Sequence, residues 1–185
     1  MINAFLAAVN KHVIAESTNL TATYDGGAHI FNIKASANLD NGKLVNLDGM
    51  VAYNATTNPD EHEVFTMVEP TATSRVGLVL SVAVGPDESP KAATYEYNFY
   101  NGEGEIMRVY DLFKGDKFTV SANGIKPIDA STALAKGQLV LADGYDLAAA
   151  AANTNVSAKA FVGEIVEVIN RANGVFYKIL VRKNG

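Results

Sequence analysis

The sequence predicts a mainly β fold of two small, related lobes that resemble β-barrels or β-sandwiches. Two observations support this prediction: tight-turn dipeptides recur along the chain, and stretches of alternating apolar residues lie between them. Asn-Gly or Asp-Gly pairs occur seven times, at positions 25–26, 41–42, 48–49, 101–102, 123–124, 143–144 and 173–174. These pairs supply the positive φ angles that tight hairpin turns require.

The N-terminal residues predict a short helix or arm, assigned to residues 1–18. Its apolar residues recur at helical spacing and form one stripe, which we expect to be an interface: Ile2, Phe5, Leu6, Val9 and Val13. The stripe either folds back onto its own first lobe or docks on a neighbouring copy or another protein, because a terminal segment can reach across a subunit boundary.

Alternating segments follow the arm and predict the strands of the two lobes. They read HIFNIKA, TYEYNFY, EIMRVYDLF, KFTVSA, FVGEIVEVI and VFYKILV. The segment YDLAAAAAN differs, because five consecutive alanines from Ala148 favour one short helix, with Asp146 near its N-terminus to accept backbone N–H groups. The stretch GPDESPKAA, rich in proline and charge, predicts a boundary between a first lobe at 19–90 and a second at 91–185.

Three short elements occur twice, in the same order. Ser36-Ala37-Asn38 returns as Ser121-Ala122-Asn123, Gly42–Gly49 as Gly137–Gly144, and Val76–Val79 as Val162–Ile165. Loops drift in length more readily than paired strands do. The ordered triple therefore favours an internal duplication, in which both copies hold equivalent positions.

Composition excludes several classes of function. The 185 residues include no cysteine, which rules out disulfides, thiolate metal sites and a cysteine nucleophile. The net charge is −5, so nucleic acid is not an expected partner, because an acidic chain repels the phosphate backbone. No stretch approaches the roughly 20 apolar residues of a membrane span, and the first residues lack the pattern of a signal peptide. We expect no membrane association and no export.

No catalytic or metal-binding motif stands out. His62 lies among carboxylates in DEHEVF, but Thr66 breaks the zinc-protease spacing, which favours a solvated acidic loop. No serine stands in Gly-x-Ser-x-Gly, and NGEGE lacks the third glycine of a dinucleotide loop. The sequence therefore predicts a protein that is not an enzyme and holds no cofactor or metal.

Aromatic residues are the remaining candidates for binding. Tyr95, Tyr97 and Tyr100 could form a protein interface or a sugar platform, since tyrosine combines contact area with a polar tip. Ordinary strand packing explains the same alternation.

The segments YDLFKGDKFTVSANGI, KGQLVLADG and AFVGEIVEVINRANGVFYKILV, with the N-terminal arm, resemble the small head-accessory, or capsid decoration, proteins of tailed bacteriophages, most closely over residues 105–185. The resemblance implies a virion structural protein, assembled in the host cytoplasm, that binds the outside of the capsid lattice. Its implied partners are the major capsid protein and copies of itself in a homo-oligomer. A phage tail-tube or other virion β subunit, and a small-ligand or glycan-binding β module, are the alternatives.

Overall fold

The structure, a computed structural model, describes residues 12–24, 29–48, 50–52, 63–82, 99–129, 133–151 and 153–185. Within these ranges the chain forms twelve strands in two sheets, a one-turn helix α1 at Thr21–Tyr24 and a 3₁₀ turn at Ala122–Gly124. This confirms the mainly β class. The strands are β1 Ala15–Asn19, β2 Ile30–Lys34, β3 Leu44–Asn46, β4 Val64–Thr66, β5 Val76–Val79, β6 Ile106–Asp111, β7 Lys117–Ser121, β8 Ile125–Lys126, β9 Leu139–Asp143, β10 Asp146–Ala149, β11 Val162–Arg171 and β12 Gly174–Lys183.

Both sheets contain the same four-stranded antiparallel arrangement. The five-stranded sheet has the order β3-β5-β6-β2-β4, and the seven-stranded sheet has the order β1-β7-β12-β11-β9-β10-β8. We call β2, β3, β5 and β6 the first unit, and β7, β9, β11 and β12 the second unit. In each unit the first strand lies beside the last, which is the Greek-key order read from the opposite chain end.

The two copies of the repeated nonapeptide hold equivalent positions, as the duplication requires. In the first unit Leu44 pairs with Leu78 and Val45 with Gly77. In the second unit the corresponding pairs are Leu139 with Glu164 and Val140 with Gly163.

Hydrogen bonds at the start of both copies repeat as well. The Gly42 N–H donates to the Val79 carbonyl at 2.8 Å, and the Gly137 N–H donates to the Ile165 carbonyl at 2.7 Å. The register of the two ladders is therefore identical through the repeated elements.

The third repeated element is offset. In the second unit Ser121 pairs with Phe176 on β12. The position in the first unit that corresponds to Ser121, found from the strand pairs of both units, is Lys34 and not Ser36. The offset is two residues, which keeps the same side chains on the same face of the sheet.

The two units share one core. A single buried cluster joins Leu44, Val76 and Leu78 of the first unit to side chains of the second, including Phe118, Val140, Ile165 and Ile179. The opposite face of the first unit has its own cluster, built from Ile33, Val45, Leu47, Val79, Met107 and Val109.

The predicted alanine-rich helix is wrong. Residues Asp146–Ala149 form strand β10, which pairs antiparallel with β9 and parallel with β8. The turn Asp143-Gly144, with Gly144 at φ +58°, reverses the chain directly into β10. Leu147, fully buried, then anchors the segment in the shared core, so hairpin pairing overrides the helical propensity of alanine.

The predicted arm and the predicted lobe boundary can be compared with the strands that the structure describes. Residues 1–11 of the arm lie outside the described residues, whereas Ala15–Asn19 form β1 and pair with β7 of the second unit. Strand β6, which the boundary at residue 90 assigns to the second lobe, pairs with β2 and β5 of the first.

Candidate protein-binding groove

Among the described strands, β1 lies at one edge of the seven-stranded sheet. It pairs on one side with β7, in the register Ala15 with Val120, Glu16 with Thr119 and Ser17 with Phe118. The Ser121 N–H donates to the Ile14 carbonyl at 2.9 Å, which makes Ile14 an inward-facing residue of this ladder. Because inward and outward groups alternate in an antiparallel pair, the backbone of Glu16 also faces β7, and the backbone N–H and C=O of Ala15 and Ser17 point away from β7.

A groove of about 360 Å³ runs along this edge. We call it the β1 groove. One wall is residues 13–17, and the opposite wall is formed by Leu80, Ser81, Val82, Phe99 and Tyr110, with Asn41 at its side. Val82 is 65 % exposed, which is unusual for a large aliphatic side chain. The groove therefore combines outward backbone groups with a mixed wall, apolar at Leu80, Val82 and Phe99 and polar at Ser81 and Asn41.

The edge carries few of the features that block strand addition. Natural edge strands are protected by lysine, proline or bulges. The β1 sequence AESTN contains neither lysine nor proline, although its ladder has one irregularity, a register shift between Ser17 and Asn19. Its charged residue, Glu16, is paired with Arg171 at 2.8 Å, and that hydrogen bond lowers the pKa of Glu16. The described part of this edge thus presents little unpaired charge.

The chain enters β1 through a firmly held segment. His12 Nδ1 contacts Asp40 Oδ1 at 2.8 Å, and the Val13 N–H donates to Asp40 Oδ2 at 3.0 Å. The Ile14 N–H donates to Ser121 Oγ at 2.9 Å, and Asn123 Nδ2 donates to the His12 carbonyl at 3.1 Å. These four bonds fix the backbone at residues 12–14.

A smaller pocket of about 180 Å³ lies at the entry to β1, lined by His12, Ile14, Ser121, Asn123 and Phe176 among others. It brings a serine, a histidine and, through Asp40, a carboxylate close together. The Ser121 hydroxyl donates to Asn123 Oδ1 at 2.6 Å and accepts the Ile14 N–H. Its proton is directed at Asn123 rather than at the imidazole, so these side chains hold the backbone instead of forming a nucleophilic triad.

A second polar cluster lies in the first unit. Asp111 is fully buried and makes a two-point ion pair with Arg75, while His29 Nδ1 lies 3.7 Å from Asp111 Oδ2. Phe113 packs edge-on against His29, with ring centres 4.9 Å apart. Burial raises the pKa of Asp111, and the attraction of Arg75 opposes this rise. The cluster fixes the end of β6.

Of the residues predicted to form an interface, some lie within the described ranges and others outside them. Ile2, Phe5, Leu6, Val9, Tyr95 and Tyr97 lie outside them. Val13 is buried in the protein's own shared core. Tyr100 is 41 % exposed and stacks on His12, with ring centres 4.9 Å apart, beside the entry to β1.

The described residues contain no group of three or more histidine, aspartate or glutamate side chains arranged to hold a metal. His62 lies outside these residues. Across the described part of the chain, no helix has the length and apolarity needed to cross a bilayer.

Sequence reasoning missed the β1 groove because its walls come from distant parts of the chain. Residues 13–17 and Tyr110 are about a hundred positions apart, and only the fold brings them together. Val13, Ala15 and Ser17 show a weak alternation that indicates a strand, but the helical spacing of the preceding apolar residues led to the assignment of residues 1–18 to a helix or arm. No protein-family model, curated protein or solved structure matches this chain.

Proposed function

We propose that this protein is a non-enzymatic structural subunit that binds other protein subunits along the β1 groove. The observation that carries the proposal is the place of β1 at the edge of the described part of the seven-stranded sheet, beside a groove with Leu80, Val82 and Phe99 on its opposite wall. An extended segment added to such an edge gains main-chain hydrogen bonds, and side-chain pockets along the groove give specificity. In its specific form, the proposal is a decoration or head-accessory protein on the outside of a tailed-phage capsid. That form is supported by the sequence resemblance over residues 105–185.

The groove can be tested by a proline placed at an outward-facing position. Ser17→Pro removes one outward N–H and leaves the bonds of Glu16 to β7 intact, and proline is tolerated on an edge strand. The variant should keep its melting temperature within a few degrees but lose binding to its protein partner. Thr18→Ala is the matched control, because Thr18 Oγ1 contacts Thr119 Oγ1 on β7; this change should not alter partner binding.

Two measurements carry this test. Sedimentation velocity across a range of concentrations reports self-association, and electron microscopy of phage particles with and without the protein reports capsid binding. Outer-surface density that disappears with the protein, and does not return with Ser17→Pro, supports the proposal. A protein that stays monomeric and leaves particles undecorated would refute it. Assembly into tubes would identify a tail-tube subunit, and binding to a glycan array without assembly would identify a ligand-binding module.

A further inference from the structure

We infer that two copies of this protein form a symmetric dimer in which β11 of one copy pairs antiparallel with β11 of the other, centred on Ile169. The contact is separate from the β1 groove and goes beyond the proposed function. Strand β11 has ten residues, and its second half, residues 166–171, carries the argument.

The second half of β11 has a strand neighbour on one side only, within the part of the chain that the structure describes. Strand β12 pairs with β11 along its whole length, whereas β9 pairs only with residues 162–164. The Ile165 N–H donates to the Gln138 carbonyl at 2.9 Å, and the Gly137 N–H donates to the Ile165 carbonyl at 2.7 Å. Beyond Ile165, no described strand pairs with β11 on the side away from β12.

The side chains along this edge are accessible. Val168 is 37 % exposed, the Glu167 side chain is 52 % exposed, and Asn170 and Arg171 are exposed as well. Residues 166–171 read VEVINR, half of them β-branched, and include neither lysine nor proline, which natural proteins place on edge strands to block pairing. The edge is therefore suited to the addition of another strand.

Two observations identify the backbone groups that point away from β12. Arg171 pairs with Gly174 across a two-residue turn, so the backbone of Arg171 faces β12. The backbone of Ile165 faces β9, and the irregularity between Ile165 and Glu167 inserts one residue, after which the backbone of Glu167 faces β12. Because inward and outward groups alternate, the N–H and C=O of Val168 and Asn170 point away from β12.

Charge complementarity selects a second copy of β11 as the partner and sets the register. With Ile169 opposite Ile169 of the other copy, Val168 lies opposite Asn170, and each such pair exchanges two main-chain hydrogen bonds. Glu167 then lies opposite Arg171 on both sides of the two-fold axis. Opposite charges that face each other across two strands stabilise the pair. Registers centred on Val168 or on Asn170 lose both charge matches.

Glu167 and Arg171 are already held in place within each chain. Glu167 contacts Lys178 Nζ, and Arg171 donates to Glu16 Oε2 at 2.8 Å. The Arg171 guanidinium also lies 4.4 Å from the centre of the Phe176 ring. In the dimer these two ion pairs join across the axis into a network in which Glu16, Arg171, Glu167 and Lys178 alternate in sign. Networks of charges stabilise more than isolated exposed ion pairs do.

The closing experiment uses single cysteines, because the chain has none. Ile169→Cys places two thiols on the two-fold axis, in a non-hydrogen-bonded pair with Cα atoms about 4.5 Å apart, a distance that a disulfide spans. Val168→Cys is the matched control. Its two copies are diagonal neighbours about 7–8 Å apart, although Val168 is the more exposed side chain. After gentle oxidation we expect disulfide dimers of Ile169→Cys in at least about tenfold excess over Val168→Cys.

Charge reversal supplies the second measurement. Glu167→Arg places like charges opposite each other twice, so the dimer dissociation constant, measured by sedimentation velocity, should rise at least about tenfold. Adding Arg171→Glu to the same chain restores opposite charges across the axis and should return the dissociation constant to within about threefold of the wild type. The double variant leaves Lys178 and Glu16 beside like charges in their own chain. Its recovery therefore reports the contact between copies.

Several results would overturn the inference. The wild type could stay monomeric at the highest concentration reached, or Ile169→Cys could form no more disulfide than Val168→Cys. Self-association that Glu167→Arg leaves unchanged, or that the double variant does not recover, would also contradict it.

The Ser17→Pro variant separates this dimer from the β1 groove. Combined with Ile169→Cys, it should form the disulfide as readily as Ile169→Cys alone, because Ser17 lies on β1 and the dimer uses β11. Loss of the disulfide in the combined variant would place the contact between copies at the β1 groove and overturn the inference. Failure of the proposed function looks different: Ser17→Pro then leaves binding to other subunits unchanged.

Discussion

Gly77 and Gly163 explain why the pair Val-Gly recurs in the two copies. They occupy equivalent ladder positions, opposite Val45 and Val140. A Cβ on Gly77 would lie 2.5 Å from Val109 Cγ1, and a Cβ on Gly163 would lie 2.7 Å from Ile179 Cγ2. Both neighbours are buried, branched side chains with little freedom to move. Each unit therefore needs a residue without a side chain at this point in its core.

Alanine at either glycine should destabilise the protein. We expect Gly77→Ala and Gly163→Ala each to lower the free energy of unfolding by about 1–3 kcal/mol, because overpacking displaces core side chains. Urea unfolding measures the change. Gly102→Ala is the control, since its Cβ would meet only the flexible Glu105 side chain, at 3.1 Å. If both core variants were as stable as the wild type, the cores would be able to accommodate the added methyl groups, and the prediction would be wrong.

Asp146, in β10 of the seven-stranded sheet, links that sheet to the five-stranded sheet electrostatically. Its carboxylate contacts Lys43, directly before β3, and it lies 2.8 Å from Lys126 Nζ in β8. Burial alone would raise the pKa of Asp146, but the hydrogen bonds and charges of Lys126 and Lys43 outweigh burial and hold the pKa below the usual 3.8. A carboxyl with a lowered pKa in the folded state stabilises the fold above its unfolded pKa, and this contribution is lost on acidification.

The pH dependence of Asp146→Asn follows from that sign. The variant should be less stable than the wild type at pH 7, and the difference should persist down to about pH 4. Below that pH the difference should shrink, because the wild-type carboxyl becomes protonated as well. Urea unfolding at several pH values measures it. Asp143→Asn, at a carboxylate with a 64 % exposed side chain, should change stability by less than about 1 kcal/mol at any of them. A difference that grows on acidification would contradict the assignment.

At the scale of elements, the turns that begin β3 and β9 are the same turn used twice. Gly42 and Gly137 have φ values of +84° and +88°, a region that disfavours residues with a side chain. Their surroundings differ. A Cβ on Gly137 would meet nothing within 4 Å, whereas a Cβ on Gly42 would lie 3.1–3.2 Å from Val120, Val13 and Ala15. The first turn is packed against β7 and the start of β1, and the second is open.

This difference predicts unequal costs for one substitution. Gly137→Ala should lower the free energy of unfolding by about 1–2 kcal/mol through backbone strain alone. Gly42→Ala should cost roughly 1 kcal/mol more, because the added methyl also crowds Val13 and Val120. Thermal unfolding of both variants at one protein concentration measures the difference. The packing account fails if Gly137→Ala proves the more costly of the two.

Sequence patterns predicted these elements where the structural cause is local. The glycine turns, the alternation in β6, β7, β11 and β12, and the repeat all depend on neighbours within a few residues. The helix expected after Ala148 failed because the decisive contacts of β10 are with β9 and β8, and propensity is a weak prior against such pairing. The β1 groove could not be predicted for the same reason, since its two walls meet only in the folded chain.

At the scale of the whole molecule, the units stack in one direction. The second unit buries Val140, Ile165 and Ile179, which are the ladder equivalents of Val45, Val79 and Val109 in the first. In the first unit those equivalents form its separate cluster, and its opposite face covers the second unit. The two units therefore contact each other through non-equivalent faces, which is a heterologous contact between related units. The second unit obtains part of its core from the first.

Shared packing of this kind predicts one cooperative unfolding transition. Leu78 belongs to β5 of the first unit, is fully buried, and lies in the cluster that includes Phe118 and Ile165. Side-chain bonds reinforce the junction, since Asn184 accepts the Val76 N–H at 2.9 Å and donates to the Leu112 carbonyl at 2.8 Å. Leu78→Ala should cost about 2–5 kcal/mol, the usual range for a buried leucine.

The cost should be felt by both units together. In Leu78→Ala, amide hydrogen exchange in β9 and β11 should accelerate as much as exchange in β3 and β5, because we expect a core shared by both units to open only when both units unfold. Val45→Ala is the matched control, since Val45 lies on the opposite face, in the first unit's separate cluster. If the units opened independently, both substitutions would accelerate β3 and β5 while leaving β9 and β11 protected, and urea unfolding would show two steps. One unit would then fold without the other, and the stacked arrangement would be an association of two domains rather than a single folding unit.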